Sequence, residues 1–150
     1  MDSKVLEGLD AWFTAYVATF RSANPVVQQN IDLKAEHSRR VRENMAEIGS
    51  ALDLDPGDTR LGEAMGLFHD LGRFEQYARY GTFSDHRSED HARLGVSVLR
   101  RCDILQERMG EDLAELTLKV IGYHNRAELP QGESATCLFF TKMLRDADKV

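Results

Sequence analysis

Four of the five histidines in this chain, His37, His69, His91 and His124, fall on or at the ends of stretches whose apolar residues recur every three or four positions. That period is one face of a helix, so each imidazole shares the side that is to be buried. Asp70 follows His69 directly, and Asp148 lies near the last residue. A single inward histidine is normally a hydrogen-bonded core residue. Four neutral imidazoles beside carboxylates are instead a donor set for borderline divalent metal ions, which a helical bundle assembles from side chains on facing helices.

The elements that must position these groups read as helices throughout. Leu6, Leu9, Trp12, Phe13, Tyr16, Val17 and Phe20 form one apolar stripe, ending near Asn24-Pro25. His37, Val41, Met45, Ile48 and Leu52 form a second. Asp58 or Thr59 is placed to cap a third helix carrying Leu61, Met65 and Phe68, with Gly72 to stop it, so His69 and Asp70 sit in its final turn. From Arg73 a weak helical start gives way to the turn-prone run Tyr80 to Asp85, which reads as a loop able to roof a pocket. Ser88 can cap the helix of His91, Leu94 and Val98. Asp112 opens another, which ends at Tyr123-His124-Asn125, and a last helix runs from Ala135 through Phe140 and Leu144 to Asp148. No strand pattern, repeat or linker interrupts the chain, so residues 1–150 read as one all-α domain.

Composition narrows the function. With 19 Lys and Arg against 25 Asp and Glu, the net charge of -6 argues against a general grip on nucleic acid polymers or anionic membrane. No apolar run is long enough to span a bilayer, and the N-terminus lacks a secretory layout, so the expected setting is cytoplasmic. Cys102 and Cys137 form no C-x-x-C pattern and are read as small core residues.

The order H…HD…H…H…D resembles the HD-domain superfamily of metal-dependent phosphohydrolases. The resemblance runs from His37 to Asp148 and centres on Gly66-Leu67-Phe68-His69-Asp70-Leu71-Gly72-Arg73, with Arg145-Asp146-Ala147-Asp148-Lys149 matching the family's alanine-aspartate step. It implies an HD-domain helical bundle and a minimal ligand set of His37, His69, Asp70 and Asp148. The further pair His91 and His124 implies a second cation, with Asp70 bridging, since a carboxylate can offer each oxygen to a different ion. The resemblance selects Asp148 over Asp146 and leaves the metals open among Fe, Mn, Mg, Zn, Co and Ni. No Gly-Tyr-Pro follows His69-Asp70, so the cyclic-dinucleotide branch of the family is not matched. Relatives usually continue beyond the final aspartate, so a longer native chain is expected.

The function so implied is hydrolysis of a small phosphate ester or nucleotide by a metal-activated water, with no Ser or Cys nucleophile. Asp70 is the catalytic bridge. Arg73 is placed either to fork onto a phosphate or to act as a cation at a helix C-terminus. Glu36, Asp90 and Asp146 are candidate acceptors for the ligands' second nitrogens. His86, five residues before His91, is turned away from the inward face, and Lys142 and Lys149 belong to a solvated one or approach the site from the last helix. The lining is expected from Tyr77 to Arg87 and His124 to Gly132. The same six residues also resemble the di-iron centre of HD-fold oxygenases, and a nucleotide-sensing module without turnover is a third reading.

Overall fold

Five side chains set where helices begin, each accepting backbone N–H groups that the first turn leaves without partners. Asp2 caps α1 (Ser3–Ala18), Asn24 caps α2 (Pro25–Ala51), Asp55 caps α3 (Pro56–Phe68), Asp90 caps α5 (His91–Cys102) and Ser134 caps α8 (Ala135–Lys149). Between them lie α4 (Gly72–Tyr80), α6 (Ile104–Met109) and α7 (Glu111–Tyr123). The structure, a computed structural model, describes residues 1–150 and is all-α, as the periodicity implies.

Several boundaries differ from the sequence reading. Pro56 occupies the first turn of α3, where its missing N–H costs nothing, so Asp55 is the cap and Asp58 lies inside the helix. Asp90, not Ser88, caps α5, because its carboxylate reaches the N–H groups of Ala92 and Arg93. Gly72 opens α4; it does not terminate α3. Cys102 is exposed, contrary to its reading as core, while Cys137 is buried.

α3 is the central element. One side joins an apolar cluster through Ala64, Leu67 and Phe68, which meets Phe13 of α1, Phe74 of α4 and Leu99 of α5. Its other side joins a second cluster through Leu61 and Met65, with Met45 of α2 and Phe140 and Leu144 of α8. Gly66 lets α2 approach closely: a β-carbon there would lie 3.0 Å from the backbone of Arg42. Buried on both sides, α3 holds its C-terminal end fixed relative to α2, α5, α7 and α8. No helix is long and apolar enough to cross a membrane.

Candidate metal centre

Three helices present their C-terminal ends to one region. His69 is the C-cap of α3, His124 is the C-cap of α7, and Asp148 is the penultimate residue of α8. Helix C-termini carry partial negative charge, so their meeting favours a cation before any side chain is counted. His37 from the body of α2 and His91, the first residue of α5, complete the group with Asp70.

The structure brings all six residues together. Asp148 Oδ1 lies 2.8 Å from His37 Nε2 and 3.2 Å from His69 Nε2. Asp70 Oδ2 is 3.7 Å from His37 Nε2, while its Oδ1 faces His91 Nε2 at 3.2 Å, His69 Nε2 at 3.5 Å and His124 Nε2 at 3.7 Å. Donor atoms group as His37, His69 and Asp70; as His69, His124 and Asp148; and as Asp70, His91 and His124. The His37 and Asp148 side chains are 25% and 32% exposed, against 6% or less for the other four, so the centre opens on that side.

The ring tautomers fit a metal. His69 Nδ1 donates to Gly66 O at 2.7 Å and His124 Nδ1 to Ile121 O at 2.6 Å, the same C-cap arrangement twice. A carbonyl only accepts, so Nδ1 carries the hydrogen and the neutral ring turns a bare Nε2 lone pair inward. His91 Nδ1 donates to Asp85 Oδ2 at 2.8 Å, with the same result. His91 Nε2 and His124 Nε2 face each other at 3.3 Å, beside the Asp70 carboxylate, so with both rings in this tautomer two lone pairs meet there. Lone pairs and carboxylate oxygens crowded in this way are a cation's donor set.

Electrostatics follow from the same contacts. Without a metal, burial opposes charge on Asp70, yet the positive charge of a protonated His69 and hydrogen bonds donated by His124 and His91 outweigh it and hold the carboxyl well below the usual carboxylate range. Asp148 is likewise held low, burial being overcome by His37 and His69. Burial also opposes charge on His69, but Asp70 and Asp148 raise its pKa above the ordinary value.

A family model of the HD domain matches residues 35–148, from two positions before His37 to Asp148 itself. The chain belongs to the HD domain family. HD domains are mostly metal-dependent hydrolases, and divalent metals are their typical cofactors. No curated protein and no solved structure matches the chain.

In this HD domain several sequence expectations change. Arg73 is turned to the loop after α4: its Nη1 donates to Phe83 O at 2.6 Å, Asp85 Oδ1 at 2.9 Å and Gln76 Oε1 at 3.0 Å. It braces the chain, where either a phosphate fork or a cation at a helix C-terminus was expected, and it stands in the first turn of α4. The partners of the ligands' second nitrogens are Gly66, Ile121 and Asp85, in place of Glu36, Asp90 and Asp146. Asp90 caps α5 and accepts from Asn125, while Glu36 and Asp146 are exposed. His86 and Lys142 also face solvent. Asp85 is the residue that sequence reasoning missed; its one signal is a carboxylate in the loop just before a candidate ligand. A cleft of about 290 Å³ adjoins the centre, lined by His124, Asn125, Arg126, Arg145, Asp148 and Lys149. Residues 77–87 do not line it.

Proposed function

We propose that this HD domain is a phosphohydrolase that works with two divalent cations on a small phosphorylated substrate. In this reading His37, His69, Asp70 and Asp148 hold one cation, Asp70, His91 and His124 hold the other, and Asp70 is shared. The observation that carries it is the position of Asp70, whose Oδ2 faces His37 while its Oδ1 faces the other three imidazoles. Bound divalent cations supply an activated water and stabilise charge on a phosphoryl group.

The chain's own residues do the rest. Asp70 and Asp148, ionised through their lowered pKa values, supply the negative charge that offsets the cations. Gly66 and Ile121 fix the rings of His69 and His124 through their carbonyls. Arg145 and Lys149 line the cleft beside Asp148, and neither is tied into an ion pair. With Arg126, also in the lining and also without an ion pair, three free cationic side chains at the open side of a protein with net charge -6 favour an anionic group on the substrate. The reading includes a cytoplasmic setting, in keeping with two free thiols.

The test is elemental analysis of purified protein together with product release across a panel of phosphomonoesters and nucleotides in Mn²⁺. Two ions per chain and phosphate or nucleoside release support the proposal. Bound iron with substrate-dependent oxygen uptake overturns it in favour of an oxygenase. Nucleotide binding without product overturns it in favour of a sensing module.

A further inference from the structure

His91 is braced differently from the other buried imidazoles. His69 and His124 stand at helix C-termini, where a carbonyl three residues back in the same helix takes the Nδ1 hydrogen. His91 stands at a helix N-terminus, where unpaired groups are N–H donors and no such carbonyl exists. An acceptor must come from elsewhere, and it comes from Asp85, six residues upstream in the loop between α4 and α5.

Asp85 is itself held. Its Oδ1 accepts from Arg73 Nη1 at 2.9 Å and from Gln76 Nε2 at 2.8 Å, which leaves Oδ2 to His91. Gln76 is fully buried, and its Nε2 also reaches Ser88 Oγ and Glu89 O. Arg73 grips the loop a second time at Phe83 O. The carboxylate is thus aimed by two residues of α4.

We infer that Asp85 is a positioning residue that selects the tautomer of His91 and so creates the cation seat formed by Asp70, His91 and His124. The inference rests on the two-cation reading for its effect on metal, though not for its effect on the ring. A carboxylate can only accept, so Asp85 holds a hydrogen on His91 Nδ1 and reserves Nε2, 3.2 Å from Asp70 Oδ1, for a cation. No such brace serves His37, whose Nδ1 has no hydrogen-bond partner, so the effect belongs to one seat alone.

Asp85→Asn separates this role from packing. The amide is isosteric, and the two donors from Arg73 and Gln76 draw its oxygen toward them. The amide N–H then faces His91, which can accept it only by moving its hydrogen to Nε2, into the seat. Nitrogen-15 imidazole spectra of the metal-free protein are expected to show His91 with Nδ1–H in the native chain and Nε2–H in Asp85→Asn. Equilibrium dialysis against Mn²⁺ followed by elemental analysis is expected to count two ions in the native chain and one in the variant. Asp85→Ala should weaken the second ion by roughly 10- to 100-fold while helical circular dichroism is retained. A native His91 ring with its hydrogen on Nε2 and none on Nδ1 overturns the inference without reference to any variant. So does an Asp85→Asn protein that keeps both ions. A native chain that binds fewer than two ions, with the tautomer switch as stated, overturns the two-cation reading and leaves the positioning role standing.

Discussion

Asp70 occupies the one position in the cluster from which two carboxylate oxygens face imidazoles of four different helices or helix ends. Its replacement by Asn removes a charge that both proposed cations share. The expected result for Asp70→Asn is loss of both ions in elemental analysis, a larger drop than the roughly 10- to 100-fold typical of an outer partner. His69 supplies a second prediction, on pH. Its folded pKa lies above the ordinary value of 6.5, so in the metal-free chain its contribution to stability is present below about pH 6.5 and is lost as pH rises through the folded value. Asp70 and Asp148 behave oppositely: their contribution holds above the ordinary 3.8 and is lost on acidification through their lowered values. Cation binding requires the imidazoles unprotonated and so strengthens with rising pH. The gap in Tm between Mn²⁺-loaded and metal-free protein is therefore expected to widen between about pH 6 and about pH 8, measured by thermal denaturation. A constant gap would remove His69 from the proposed ligand set. The inward aspect of His37, His91 and His124 was legible because each falls in an apolar stripe. Asp85 was not, since a loop residue has no period and its partner is chosen by where α4 happens to aim it.

At the scale of elements, the closest approach in the site's surroundings is between the starts of α4 and α5. A β-carbon on Gly72 would collide with His91 O and lie 2.6 Å from Gly95 N. These are backbone atoms that cannot swing aside, so the α5 N-terminus must move if Gly72 gains a side chain. Gly72→Ala is expected to cost about 1–3 kcal/mol of stability through overpacking, and to loosen the seat that contains His91. Denaturant melts and ion counts on the same variant check the two effects, and unchanged values in both would mean that α5 has room to shift. Helix existence was readable from the 3.6-residue period, whereas helix starts were less so. Asp55 and Asp58 are both capping types three residues apart, and Pro56 decides between them; Ser88 and Asp90 stand two apart, and the reach of a carboxylate to Ala92 and Arg93 decides. The short α6 carries too few residues to display a period.

Charge at the scale of the whole molecule is unevenly placed. A chain of net charge -6 keeps Arg145 and Lys149 free beside the open side of the centre, where they can draw an anion toward the proposed cations. Double replacement of Arg145 and Lys149 by Ala is expected to lower kcat/KM on a phosphomonoester by roughly tenfold, chiefly through KM, with a weaker dependence on salt than the native chain. An unaltered salt dependence would show that substrate enters by another side. Composition made the acidic balance plain, but not that Arg126, Arg145 and Lys149 stand together at the cleft, because that depends on how the last turn of α8 lies against the end of α7.

The contact between His37 and Asp148 spans 111 residues of chain. Closing so long a loop is among the slower events of folding, since local helices must form and dock before the two ends meet. During synthesis, therefore, a nascent chain with α2 and α3 complete still exposes only a partial chelate. On the proposed ligand set, full affinity for an ion arrives only when the final turn of α8 has docked, which makes acquisition of metal a late step of folding.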